Sequence, residues 1–192
     1  MITHLAAGVR AFTSNAFLMT GGTTALVDTG ANFDVVARLD EQVDALDRVY
    51  LTHTHPDHVD NVSGVRAAFD VETWGYEPDD NHVDNAIADG ETVPIGDHGY
   101  EALHTPGHEP DHLCFHSDAA GVCFAGDLVF ANGGVGRTDL PGGDFDALVA
   151  SIDRLREAVG DDLAALHTGH GPSATDNPVD DVAMAARTVR TQ

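Results

Sequence analysis

Lysine is absent from this sequence. Its nine basic residues are all arginine and stand against 32 acidic residues, so the formal net charge is −23. Nucleic-acid binding relies on lysine and arginine contacts to phosphate, so this charge argues against a nucleic-acid partner. A dense carboxylate surface repels itself in dilute buffer, whereas the Debye length falls to about 3 Å at molar salt. We therefore predict a halophilic protein from a salt-saturated cytoplasm.

Long apolar segments and cysteine are also scarce. No run of about 18 apolar residues is present, which predicts no transmembrane helix and no membrane partner. Residues 1–4 lack the charged start and apolar run of a signal peptide, so we expect a cytoplasmic protein. The two cysteines, Cys114 and Cys123, are predicted to be buried free thiols. A length of 192 residues with 42% hydrophobic content predicts a single domain, 1–192, and no feature indicates an oligomeric state.

The most informative stretch is Thr52–His58, which places three imidazoles and one carboxylate within six residues. A strand-like segment precedes it and a helix-like segment follows, so we expect a loop between a strand and a helix. Histidine and aspartate are ligands for a borderline metal such as zinc. If His53 and His55 point one way while Asp57 and His58 point another, the loop serves two metal ions.

Further ligand-type residues directly follow predicted strands, each beside a turn-forming residue. They are Asp28, His108, Asp127 and His170. In open α/β sheets, ligands gather beyond the carboxyl ends of the strands. Asp28 taken alone equally fits an Asx turn. The other three bring the set to seven groups, about the number that two metals sharing one carboxylate require.

The order of the predicted elements interleaves strands with helices. This order predicts an α/β (α+β) chain whose sheets are covered by helices. The segment 75–91 is rich in glycine, asparagine and acidic residues, and we expect an irregular excursion there that could serve as a lid.

The His-x-His-x-Asp-His pattern at His53–His58, with the later turns Thr105–His108 and Phe124–Asp127, resembles the metallo-β-lactamase-fold hydrolases over nearly the whole chain. The resemblance implies a four-layered αβ/βα sandwich with the site at one edge, between two sheets. It also implies a second-layer carboxylate, Asp28, that orients ligands. The implied ligands are His53, His55 and His108 for one metal, Asp57, His58 and His170 for the other, and Asp127 as a bridge.

Within that family, the segment Gly136–Asp144 is similar to short glyoxalase II proteins, which hydrolyse thioesters of 2-hydroxy acids. The resemblance implies a dinuclear thioester hydrolase with two divalent ions, zinc foremost and iron or manganese as alternatives. Asp57 and Asp127 would be its catalytic residues, and a metal-bridging hydroxide would attack the thioester. The substrate would be a small-molecule thioester of a small thiol. Glutathione is not specified, because no counterpart of the glutathione-gripping helical extension or lysines is present.

A second enzyme class fits the same residues. Persulfide dioxygenases resemble glyoxalase II and bind one iron through the counterparts of His53, His108 and Asp127, a set of two histidines and one carboxylate. Ribonuclease Z shares the metal motif, but the acidic charge disfavours RNA. A non-catalytic metal module would not need seven ligands. Two residues each have two possible roles. His112 either lines the pocket or is a structural residue within a strand. Arg137 either binds a substrate carboxylate or stabilises its own loop.

Overall fold

A computed structural model of the chain describes residues 1–76 and 81–191. The helices are α1 (Val35–Asp40), α2 (Pro56–Val59), α3 (Val62–Phe69), α4 (Phe145–Ala158) and α5 (Pro178–Thr188). The strands are β1 (Ile2–His4), β2 (Phe17–Met19), β3 (Ala25–Val27), β4 (Arg48–Tyr50), β5 (Thr73–Gly75), β6 (Asn85–Ala86), β7 (Thr92–Ile95), β8 (His98–His104), β9 (Leu113–Ser117), β10 (Val122–Gly126), β11 (Val129–Phe130), β12 (Gly134–Val135) and β13 (Ala165–Thr168). Short 3-10 turns cover Ala131–Gly133 and Val189–Thr191.

The first half of the chain forms a six-stranded sheet in the order β1-β2-β3-β4-β5-β6. The first three strands are antiparallel, whereas β3, β4, β5 and β6 run parallel. Val27 at the end of β3 lies beside Tyr50 at the end of β4. The polar residues that follow these strands therefore reach the same edge of the sheet.

The second half forms a five-stranded sheet in the order β13-β10-β9-β8-β7. β10 and β13 are parallel, with Gly126 beside Thr168, and the other neighbours are antiparallel. β8 and β10 flank β9 and so run in the same direction. The residues that follow β8, β10 and β13 consequently share one edge.

Three apolar cores separate four layers. One core lies between the two sheets and takes side chains from both, including Phe17, Tyr50, Tyr100, Phe115 and Phe124. A second core packs α1, α2 and α3 against the outer face of the first sheet. A third packs α4 and α5 against the outer face of the second. The predicted αβ/βα sandwich is confirmed.

α4 begins directly after Asp144, whose side chain caps the helix by accepting a hydrogen bond from the backbone N–H of Ala147. The expectation of a loop throughout His53–His58 is wrong, because α2 begins at Pro56 and takes in Asp57 and His58. Proline is preorganised for the first helical position. The expected excursion at 75–91 includes β6, and its residues 77–80 lie outside the described residues.

Two expectations from composition also agree with the structure. Cys114 and Cys123 are buried and unbonded to each other. Within residues 1–76 and 81–191, no helix is both long and apolar enough to cross a membrane.

Candidate metal centre

The strand ends of both sheets bring the predicted ligands together at one edge. The seven side chains form three overlapping sets, and in each set the donor atoms lie within 4.8 Å of one another. The sets are His53, His55 and His108; His53, His58 and Asp127; and Asp57, His58 and His170. Residues more than a hundred positions apart thus converge as the sequence predicts.

The first group consists of three imidazoles. Nδ1 of His55 lies 3.1 Å from Nε2 of His53 and 2.9 Å from Nε2 of His108. His53 and His108 are almost fully buried. Burial lowers the pKa of His53 well below its usual value, and it also lowers the pKa of His108. These two rings are therefore neutral near pH 7 and carry a lone pair that a cation can use.

The second group combines a carboxylate with two imidazoles. Oδ2 of Asp57 lies 3.0 Å from Nε2 of His170 and 4.0 Å from Nε2 of His58. Burial lowers the pKa of His58, but the charges of Asp28 and Asp127 outweigh it and raise the pKa to about 10. Burial also lowers the pKa of His170, but its contacts with Asp127 and Asp57 outweigh burial and raise the pKa to about 9. The metal-free second group thus holds two imidazolium ions among carboxylates.

Asp127 stands between the two groups. Its Oδ2 lies 3.5 Å from Nε2 of His108 and 3.4 Å from Nε2 of His170, while its Oδ1 lies 3.5 Å from Nε2 of His58. Burial raises the pKa of Asp127, but His170 and His58 outweigh burial and hold the pKa well below its usual range. One ionised carboxylate therefore faces donor atoms of both groups.

The donor set fits metal ions. Nε2 of His58 and Oδ1 of Asp127 are buried and have no hydrogen-bond partner among the described residues. Leaving buried polar atoms unpaired is costly, and a bound cation would satisfy both atoms. Imidazole nitrogen and carboxylate oxygen are the ligands that zinc and similar ions take.

A layer of outer contacts orients these ligands. Nδ1 of His58 lies 2.8 Å from Oδ2 of Asp28, and Thr52 donates to Asp28 from both its backbone N and its Oγ1. Nδ1 of His108 lies 2.8 Å from the carbonyl oxygen of Arg137. Each contact occupies one ring nitrogen and leaves Nε2 facing the centre. Asp28 is thus placed where the resemblance implied.

The sequence and the fold have counterparts among known proteins. A family model described as the metallo-beta-lactamase superfamily matches residues 9–170. The chain belongs to this superfamily. It is similar to hydroxyacylglutathione hydrolase GloC of Haemophilus influenzae, with 32% identity over 174 residues, 79% of this chain and 81% of that protein.

Two solved structures extend this likeness over nearly the whole chain. The structure of TTHA1623 in a di-iron-bound form has a TM-score of 0.75 and 30% identity, covering 91% of this chain and 93% of that one. The BLEG-1 B3 metallo-beta-lactamase has a TM-score of 0.78 and 25% identity, covering 94% and 95%.

In this superfamily member, the centre opens into a pocket of about 640 Å³. Phe12, Phe130, Val135 and Leu140 line it with apolar surface, together with the exposed ligands. Apart from the histidines, Arg137 contributes the basic side chain to the lining of this pocket. Its guanidinium donates two hydrogen bonds of 2.7 Å to the carboxylate of Asp139. The pocket therefore offers an apolar wall beside a metal-binding surface.

His112 does not line the pocket, and it lies just before β9 rather than within a strand, so neither alternative for this residue is met. His112 is fully buried and lies behind the centre, where its Nε2 accepts a hydrogen bond of 3.0 Å from the backbone N–H of Asp127. Its Nδ1 contacts Oγ1 of Thr105 at 2.8 Å. A Cβ at Gly126 would fall 2.6 Å from this imidazole, so glycine is required for the approach. His112 consequently positions the Asp127 backbone.

Sequence reasoning missed three residues beside the ligands. Thr52 holds Asp28, Glu109 contacts His55, and Phe12 stacks on His170 with ring centroids 5.7 Å apart. Thr52 and Glu109 adjoin ligands in the sequence, which is a weak signal. Phe12 precedes every motif in the sequence, so no sequence signal points to it.

Proposed function

We propose that this protein is a metal-dependent hydrolase that cleaves 2-hydroxyacyl thioesters of a small thiol, with two divalent ions, foremost zinc, as cofactors. The observation that carries the proposal is the Asp127 carboxylate between two donor groups on the wall of an open pocket. The similarity to hydroxyacylglutathione hydrolase GloC supports a thioester substrate. The di-iron-bound form of TTHA1623 supports two ions.

The proposed ligands divide into two sets with one shared member. When bound, the ions would lower the pKa of coordinated water and polarise the thioester carbonyl. The first ion would be held by His53, His55 and His108, the second by Asp57, His58 and His170, and Asp127 would serve both.

The protein's own residues supply charge, orientation and an apolar wall. Burial raises the pKa of Asp57, but the nearby His170 and His58 outweigh burial, so the net effect is a lowered pKa. Asp57 and Asp127 therefore both stay ionised, which suits their proposed role as catalytic carboxylates that hold metal. Phe130 and Leu140 cover one side of the pocket and limit water around a bound acyl group. Arg137 reaches a substrate carboxylate only by exchanging its partner Asp139.

The test is a substrate panel with the metal-loaded protein. S-lactoyl thioesters of several small thiols are supplied first, and a persulfide with dissolved oxygen is supplied separately. We expect thiol release without oxygen uptake, with about two metal ions per chain. Oxygen consumption with sulfite formation and one iron per chain would instead establish the persulfide dioxygenase alternative.

A further inference from the structure

Glu109 has no place in the ligand sets above, yet its carboxylate touches the centre. Oε1 of Glu109 lies 2.6 Å from Nε2 of His55, and the two side chains are only 17% and 19% exposed. This distance is that of a close polar contact between a carboxylate oxygen and a ring nitrogen. Since burial limits water at the contact, the interaction is screened less than a surface ion pair.

The two nitrogens of His55 have different neighbours. Nδ1 faces the Nε2 atoms of His53 and His108, at 3.1 and 2.9 Å. Nε2 faces Glu109 on another side of the ring. The carboxylate thus occupies the Nε2 side of the ring and leaves Nδ1 as the nitrogen that faces the other two imidazoles. The contact sets the ring orientation that a metal at Nδ1 needs.

The backbone of the loop at Gly142 lies close to the carboxylate of Glu109. A Cβ at Gly142 would fall 2.7 Å from Oε2 of Glu109, and Gly142 has φ of 91°. The loop backbone therefore approaches the carboxylate as only glycine allows. Two residues further along the chain, Oδ2 of Asp111 accepts a 2.7 Å hydrogen bond from Oγ1 of Thr54. The His53–His55 segment is thus held by two carboxylates from the turn after β8.

We infer that Glu109 is a positioning residue of the metal centre, which fixes the ring orientation of His55 and raises the affinity of the first metal site. The inference rests on the proposed metal centre and is independent of the substrate. Loss of an outer carboxylate partner typically lowers metal affinity or activity about 10- to 100-fold.

The test measures zinc affinity by competition with a chelator, using wild type, Glu109→Ala and Glu109→Gln. We expect Glu109→Ala to weaken one of two zinc sites about 10- to 100-fold and leave the other unchanged. Glu109→Gln keeps the size of the side chain and guards against misfolding, and it should weaken the same site less because its amide oxygen still accepts. Glu157→Gln, an exposed residue on α4, makes the same charge change as a control.

A spectroscopic readout separates positioning from general stability. In cobalt-substituted protein, both Glu109 variants should shift the absorption of one cobalt site, whereas Glu157→Gln should not. Wild-type zinc affinity at both sites in both Glu109 variants would overturn the inference, even if their melting temperatures fell. Failure of the wild type itself to bind zinc would refute the proposed metal centre instead.

Discussion

Asp127 offers the sharpest perturbation of the centre. Asparagine in its place keeps the size of the side chain and the backbone N–H bonded to His112, but it removes the charge that faces both groups. Removing one partner from a buried set of charges costs roughly 3–5 kcal/mol. At about 1.4 kcal/mol per tenfold, this corresponds to a loss of about 150- to 5,000-fold in metal affinity. We therefore expect Asp127→Asn to lose both ions on dialysis, and its hydrolytic activity with them.

The assay is metal content per chain by atomic spectrometry, followed by thioester hydrolysis. Asp44→Asn makes the same chemical change at an exposed residue that precedes β4, at the opposite end of the strand from His53, and it should behave as wild type. Wild-type metal affinity in Asp127→Asn would refute the reasoning. Loss of a single ion would assign Asp127 to one group and contradict the proposal that Asp127 is a ligand of both ions.

Three further predictions concern salt, pH and the pocket rim. The charge of −23 predicts that the melting temperature rises between about 0.1 M and 2 M potassium chloride, as the screening length falls several-fold, and an unchanged melt would refute the halophilic interpretation. In the metal-free protein, the pKa values of His58 and His170, about 10 and about 9, keep both rings protonated near pH 7. Metal binding should therefore release protons and weaken as pH falls, which calorimetry in buffers of different ionisation enthalpy measures, and a pH-independent affinity would contradict this. Phe12→Ala removes an aromatic contact worth about 0.5–1.5 kcal/mol and should weaken metal binding about 2- to 13-fold, whereas Phe12→Tyr should retain it.

The convergence of the candidate ligands was predictable from sequence because each lies at or near the end of a strand and because parallel strands end at the same edge. The register of β3 with β4 and of β10 with β13 aligns the ends of these strands, so the residues that follow them lie close together. The direction of a side chain is a tertiary property, however. His112 lies four residues after His108, yet its ring points inward and accepts a hydrogen bond from the backbone N–H of Asp127. Glu109 adjoins a candidate ligand, but its contact with His55 joins two segments that lie far apart in the sequence.

The histidines of the centre differ in how firmly they are held. Three have a hydrogen-bond partner on the ring nitrogen that faces away from the centre: Thr52 for His53, Asp28 for His58 and the Arg137 carbonyl for His108. His55 has a close polar contact with Glu109 at the corresponding nitrogen. His170 has no such partner on Nδ1 in the part of the chain described. Its side chain is 29% exposed and rests against Phe12.

This difference divides the centre into a rigid and an adaptable side. In the first group, each imidazole has a polar partner on its outer ring nitrogen, so its donor atoms stay preorganised without metal. In the second group, His170 has its Nε2 3.0 Å from Asp57, but its ring rests on Phe12 and its Nδ1 has no hydrogen bond among the described residues. Phe12 and His170 both line the pocket. Movement of the centre on substrate entry should therefore be concentrated at His170, while His53, His55 and His108 keep their positions.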